Sequence, residues 1–253
     1  MTETARNIEA IAARVKQASH VMVMTGSGIS AESGIPTFRE AQTGLWEKFR
    51  PEDLATPEAF ERDPETVWKW YEWRRDLVGK AAPNPGHGAL VTLAERVPLF
   101  SLITQNVDGL HQRAGSTGVV ELHGSIIRTI CSSTRRVIDR DWLDANPGSP
   151  PRSPYDPHGL ARPGVVWFGE PLPADAIDAA ALAVATCDLF FSIGTSGLVE
   201  PAASFGHAAA DRGAHVVEIN PAPTPLSPRA TWLLREPAGD ALPRIVEALD
   251  ALG

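Results

Sequence analysis

The run His20-Val21-Met22-Val23-Met24-Thr25-Gly26-Ser27-Gly28-Ile29-Ser30-Ala31 carries an uninterrupted apolar segment straight into a glycine-rich turn. Four consecutive apolar residues suit a strand covered on both faces, because alternation is needed only where one face meets water. The turn is a Gly-x-Gly-x-x-Ala form of the dinucleotide fingerprint. Its glycines permit a tight bend and close approach to a pyrophosphate, and a helix start supplies amide donors. A strand-to-helix turn with no ligand fits the same residues. Gly34-Ile35-Pro36-Thr37-Phe38-Arg39 then breaks the helical pattern within one or two turns, which weighs against an ordinary hydride-transfer fold.

Outward from this run the chain alternates. Ile8, Ile11, Ala12 and Val15 line one face of a helix over 3–17, with Thr2 as its cap. Apolar runs at 99–103, 188–193 and 215–219 repeat the strand signal, and helical pattern occupies 64–79, 86–96, 173–186, 201–212 and 239–252. Strand and helix in alternation predict the α/β class, a Rossmann-like open parallel sheet with helices on both faces. Residues 144–163 depart from it, holding prolines at 147, 150, 151, 154, 157 and 163, and read as an irregular excursion. The expected organisation is one catalytic domain over 1–253. Its large part takes approximately 1–37, 81–127 and 164–253, and smaller inserted parts take approximately 38–80 and 128–163.

Composition narrows the partners. Hydrophobic residues at 43% and charged residues at 21% are those of a folded globular chain. The 253 residues carry a formal charge of −8, which disfavours a grip on nucleic acid. No apolar run is long enough for a membrane span and Met1-Thr2-Glu3-Thr4-Ala5-Arg6 has no signal-peptide core, so a cytoplasmic protein is expected. Cys131 and Cys187 are read as reduced thiols, Cys187 as a small core residue, and a monomer is the default.

Polar residues cluster where strands end. Thr104-Gln105-Asn106-Val107-Asp108-Gly109 follows the strand 99–103, the place where open sheets bind polar ligands, although Asp108 could equally cap a loop. Glu121-Leu122-His123-Gly124 presents an imidazole, suited to general-base work near neutral pH and also common as a structural group. Gly194-Thr195-Ser196 and Asn220 close two further strands and could meet phosphate or ribose.

Taken together, the blocks 26–39, 104–108, 121–124, Val165-Val166-Trp167-Phe168-Gly169-Glu170 and 194–196 resemble the sirtuin family in order and spacing, over roughly 8–250. The resemblance implies an enzyme that removes acyl groups from protein lysine with NAD as co-substrate. The products would be nicotinamide, O-acyl-ADP-ribose and free lysine. It places Gly26, Ser27, Gly28, Ser30 and Arg39 near the pyrophosphate, and Gly194, Thr195, Ser196, Asn220 and Ala238 toward the adenosine side. Gln105 and Asn106 would position the reacting ribose, Asp108 with Val107 would receive the nicotinamide carboxamide, and Phe38 would shield the ribose from water. His123 would act as general base, with Asn106 and Asp108 completing the catalytic set. Val165, Val166, Trp167 and Phe168 would receive the acyl-lysine peptide. ADP-ribosyl transfer or NAD hydrolysis would use the same pocket, and a non-catalytic nucleotide sensor is disfavoured by the intact Asn106, Asp108 and His123.

Two departures sharpen the expectation. Tyr71 and Arg74 lie three apart on one helical face, and in sirtuins such a pair resembles that of deacylases accepting malonyl-, succinyl- and glutaryl-lysine. A guanidinium fork and a phenol suit a distal carboxylate. Gly44-Leu45-Trp46 and Ala55-Thr56-Pro57 also resemble that subgroup. Most sirtuins hold a structural zinc with two Cys-x-x-Cys pairs, whereas this chain keeps Cys131 alone in that region. One thiol cannot make a tetrahedral site, so no metal is expected, with packing of Tyr155, Leu160 and Trp142 in its stead.

Overall fold

A computed structural model describes residues 2–36 and 48–253. The expectations placed on Phe38, Arg39 and Gly44-Leu45-Trp46 lie outside the described residues.

The helices are α1 (Glu3–Gln17), α2 (Gly28–Ala31), α3 (Pro51–Leu54), α4 (Pro57–Arg62), α5 (Pro64–Lys80), α6 (Pro85–Glu95), α7 (Leu110–Ala114), α8 (Arg140–Ala145), α9 (Ala174–Thr186), α10 (Ala202–Asp211) and α11 (Ala238–Asp250). The strands are β1 (Val21–Thr25), β2 (Phe100–Thr104), β3 (Val120–Glu121), β4 (Gly124–Cys131), β5 (Ala161–Val165), β6 (Leu189–Ile193), β7 (His215–Ile219) and β8 (Trp232–Leu234). Several helices start where a short polar side chain precedes proline. Thr56, Asp63 and Asn84 accept backbone N–H groups of the first turn, and Pro57, Pro64 and Pro85 occupy positions whose own N–H would be unpaired.

Six strands form one parallel sheet in the order β3-β2-β1-β6-β7-β8. The successive side chains of β1 divide between its faces. Val21 and Val23 join α1, α6 and α11 in one core, and Met22 and Met24 join α9 and α10 in the other. That is why the deciding run shows no alternation.

A separate antiparallel pair, β4 with β5, packs against α3, α4 and α5 through Leu54, Phe60, Val67, Trp70, Tyr71, Ile126 and Val165. The stretch 144–163, expected to be irregular, does contribute Ala161 to Pro163 to β5. Strand β5 ends at Val165, so Val166–Phe168 continue as a loop whose Val166 and Phe168 N–H groups donate to the carbonyls of His123 and Ala55. No helix among the described residues is long and apolar enough to cross a membrane.

Candidate functional site

Strand register gathers the site. Thr25 of β1 pairs with Thr104 of β2 and Ile193 of β6, and Ile193 pairs with Ile219 of β7, so these four strands end level. The residues that follow, Gly26, Gln105, Gly194 and Asn220, therefore stand in a row along one edge, at the point where the chain's crossovers diverge. Glu121 ends β3 beside Thr104, which brings His123 to the same edge.

The loops after β1 and β6 touch through their backbones. Gly26 and Gly28 N–H groups donate to the Ile193 and Gly194 carbonyls at 2.9 and 2.8 Å. A Cβ on Gly28 would stand 2.6 Å from Gly194 Cα, and one on Gly194, whose φ is +59°, would stand 2.5 Å from the Ile29 nitrogen. Glycine is required here for loop contact. Helix α2 ends after one turn and Gly34 turns with φ +78°, in keeping with the interruption expected from the sequence.

A cavity of about 690 Å³ opens at this edge. Its wall brings together Gly26, Ser27, Ser30, Gln105, Asn106, Val107, Asp108, His123, Thr195 and Ser196, along with Tyr71, Arg74 and the segment Val165, Val166, Trp167 and Phe168. Gly28, Gly194, Asn220 and Ala238 do not line it. The first two support the loops, Asn220 Nδ2 donates to the Thr195 carbonyl at 3.0 Å, and Ala238 is buried at the start of α11.

The polar groups on the wall are already oriented. Asn106 Nδ2 donates to the Gly26 carbonyl and to Ser30 Oγ at 3.0 and 3.1 Å, and Ser30 Oγ donates to Asp108 Oδ2 at 2.8 Å. Asp108 Oδ1 accepts the Leu110 N–H at 2.9 Å, so the loop-capping reading of Asp108 holds alongside its place on the cavity wall. Gln105 Nε2 donates to Thr195 Oγ1, and His123 Nδ1 meets the Gln105 carbonyl at 2.9 Å. A carbonyl accepts only, so the His123 proton sits on Nδ1 and Nε2 keeps its lone pair. Burial lowers the His123 pKa, partly offset by that hydrogen bond.

At the opposite wall Tyr71 and Arg74 share a face of α5, as expected. Trp167 Nε1 donates to Tyr71 Oη at 3.0 Å, and the Arg74 guanidinium lies 5.0 Å from the centre of the Trp70 ring. Burial pushes the Tyr71 phenol up to about 12 and pulls Arg74 down, with Tyr71 and Asp108 drawing it back toward the charged form.

Sequence reasoning missed the buried groups behind the wall. Thr25 Oγ1 donates to Thr104 Oγ1 at 2.8 Å, Thr104 Oγ1 accepts the Asn106 N–H, and His111 Nε2 stands 2.9 Å from Thr25 Oγ1. Burial lowers His111 to about 3, so it is a neutral prop for the 105–108 loop. Buried Arg162 pairs with Glu170, which also reaches the cavity wall, beside the Trp167 ring. Threonines at strand ends hinted at the first network; nothing in the spacing signalled the second.

The Sir2 family's sequence model matches residues 26–201. An NAD-dependent protein deacylase of Aquifex aeolicus is 48% identical over 232 residues, covering 91% of this chain and 95% of its own length. One from Thermus thermophilus is 51% identical over 233 residues, covering 90% of each. Among solved structures, a Sir2 homolog in complex with NAD superposes with a TM-score of 0.89 at 44% identity, over 97% of this chain and 95% of that one. Sir2Af2 bound to a myristoylated histone peptide gives 0.78 at 34% identity over 98% of each chain. With the family's blocks arranged around one cavity, the chain belongs to the Sir2, or sirtuin, family.

Proposed function

We propose that this protein is an NAD-dependent protein-lysine deacylase that favours malonyl, succinyl or glutaryl groups over acetyl. The observation that carries the reading is that Tyr71 and Arg74 line the same cavity as Asn106, Asp108 and His123. A phenol donor and a guanidinium suit a terminal carboxylate, and acetyl offers them no charge partner.

The residues present fit NAD: glycines bring two loops into backbone contact at the sheet edge, beside a cavity with amide, carboxylate and imidazole groups on its wall. Gly26, Ser27, Ser30, Thr195 and Ser196 would hold its phosphates and ribose, supported by Gly28, Gly194, Asn220 and Ala238. When bound, it supplies an electrophilic ribose carbon with nicotinamide as leaving group. Asp108 and Val107 would hold the carboxamide, and Ser30 keeps Asp108 oriented. Asn106 and Gln105 would position the ribose, which limits reactive geometries. His123 accepts a hydroxyl proton at Nε2. The net reaction converts acyl-lysine, NAD and one water into lysine, nicotinamide and O-acyl-ADP-ribose.

The reading is tested by incubating the protein with NAD and matched acetyl-, malonyl- and succinyl-lysine peptides and following products by mass spectrometry. Faster release of the acidic acyls with O-acyl-ADP-ribose supports it. Nicotinamide and ADP-ribose with unchanged peptide, or ADP-ribose attached to protein, would replace it with NAD hydrolysis or ADP-ribosyl transfer.

The residues around Cys131 do not fit a zinc site. Its Sγ lies 3.2 Å from Ser133 Oγ, and Ser133 donates to Asp156 at 2.6 Å. Burial would raise the thiol, but hydrogen bonds from Ser133, Ser153 and Thr134 outweigh it and bring it down to about 6. Among the described residues no cluster of three or more His, Cys, Asp or Glu could hold a metal. Ser132 N–H donates to the Leu160 carbonyl and Ser132 Oγ accepts the Leu160 N–H, closing the hairpin. Trp68, Cys131, Ile138 and Ala161 form a core with Trp142 and Tyr155 against it, while Leu160 packs on the α5 side. Elemental analysis of protein purified without added metal is therefore expected to show no stoichiometric zinc, and EDTA to leave Tm unchanged. Zinc at one per chain whose removal lowers Tm would overturn this.

A further inference from the structure

Trp167 is held by a buried ion pair that the reaction does not use. Arg162 Nη1 and Nη2 donate to Glu170 Oε1 and Oε2 at 2.7 and 2.9 Å, a bidentate pair with both side chains buried or nearly so. Arg162 Nη2 also donates to the Val165 carbonyl, and Glu170 Oε2 accepts the Trp167 backbone N–H at 2.9 Å. The guanidinium carbon lies 3.4 Å from the centre of the Trp167 ring. Arg162 Nε finds no hydrogen-bond partner among the described residues, so the fork is aligned on Glu170 and Val165 while the flat side faces the indole. Phe60 closes on the indole with ring centres 5.2 Å apart. The indole N–H is thereby aimed at Tyr71 Oη.

This has a chemical consequence at the acyl end of the cavity. Indole nitrogen can only donate, so Tyr71 Oη is the acceptor in that bond. One lone pair of the phenol is engaged by Trp167, and the phenol's own proton is what remains to be offered to the cavity. A cation over the indole face draws electron density from the ring and makes its N–H a stronger donor. A donor bonded to Oη in turn makes the phenol a better donor, the polarisation expected of hydrogen bonds in series.

We propose that Trp167, clamped by Arg162 and Glu170, is a specificity-determining positioning residue. Its indole N–H presets Tyr71 as a hydrogen-bond donor, so that the acyl pocket selects a group ending in acceptor oxygens. The proposal rests on the acidic-acyl reading above and adds to it a residue that acts on the substrate carboxylate through Tyr71. It also ties selectivity to the loop expected to receive the peptide, since Trp167 belongs to both.

The test measures kcat/KM for succinyl- and acetyl-lysine peptides of one sequence in wild type, Tyr71→Phe, Trp167→Phe and the double variant. The readout is the succinyl-to-acetyl ratio, which a general loss of stability does not move. Trp167→Phe is expected to lower the ratio about tenfold, the worth of one neutral hydrogen bond. The double variant is expected to match Tyr71→Phe, because the indole acts through the phenol. Incorporating 3-benzothienylalanine at position 167 replaces N–H by sulfur in a ring of nearly the same shape. It should reproduce the Trp167→Phe ratio even if phenylalanine packs poorly. A wild-type ratio in the benzothienyl protein, or an additive loss in the double variant, overturns the proposal while the acidic-acyl reading stands. A ratio unmoved by Tyr71→Phe overturns the reading itself, and the proposal with it.

Discussion

Replacing His123 with Ala lowers deacylation by about 10²–10⁴-fold, the usual worth of a positioned general base, while NAD binding remains measurable. The loss is large because the polar groups beside His123 among the described residues are already engaged. Asp108 already receives Ser30 and Leu110, and the Asn106 amide donates to Gly26 and Ser30. The Gln105 carbonyl holds Nδ1–H, so Nε2 is the basic atom without any rearrangement. The pH profile supplies an independent reading. Burial lowers the His123 pKa below its ordinary 6.5, so the neutral, proton-accepting form predominates at pH 7. In wild type the rate therefore falls only as pH drops through that lowered pKa, giving an acid limb below 6.5, and the variant loses this limb along with its rate. Full deacylation by His123→Ala, or an acid limb in wild type lying above 6.5, would remove the assigned role.

Arg74→Ala is the second large effect. Arg74 is half-buried, its guanidinium carbon 5.0 Å from the centre of the Trp70 ring, and Tyr71 and Asp108 favour its charged form against the burial that lowers its pKa. A carboxylate reaching it in the cavity makes a charge-assisted interaction of about 1.5–3 kcal/mol per hydrogen bond. The succinyl-to-acetyl ratio of kcat/KM is expected to fall about 100-fold. Arg74→Lys should recover only part of it, since an ammonium cannot reproduce the planar fork. Steady-state kinetics on matched peptides decides the matter: a ratio that survives Arg74→Ala would mean that the carboxylate is recognised elsewhere or not at all.

The parts of the fold that the residue pattern revealed are those whose burial is uniform along the chain. Strands β1, β2, β6 and β7 announce themselves because covering helices make most positions apolar, and their observed limits differ from the expected ones by at most one residue. Strand β8 escaped because three residues, Trp232-Leu233-Leu234, do not establish a pattern, and β3 has only two. Strand β5 contains Pro163 and Gly164, which normally argue against a strand. In a two-stranded sheet both strands are edges, so proline does no harm there. The wall residues were legible as polar clusters after strands. His111 and the Arg162–Glu170 pair were not, because a buried polar side chain is identified by its tertiary partners, and these come from other segments of the chain.

Tyr71 and Arg74 stand on α5, which packs with β4 and β5, whereas His123 and the loops bearing Asn106 and Thr195 grow from the edge of the six-stranded sheet. On the proposed reading, chemistry and choice of acyl group are housed in different structural layers. A lineage can exchange the side chains on one helical face and acquire another diet of modified lysines, while the registered strand ends that assemble the reaction centre are inherited intact.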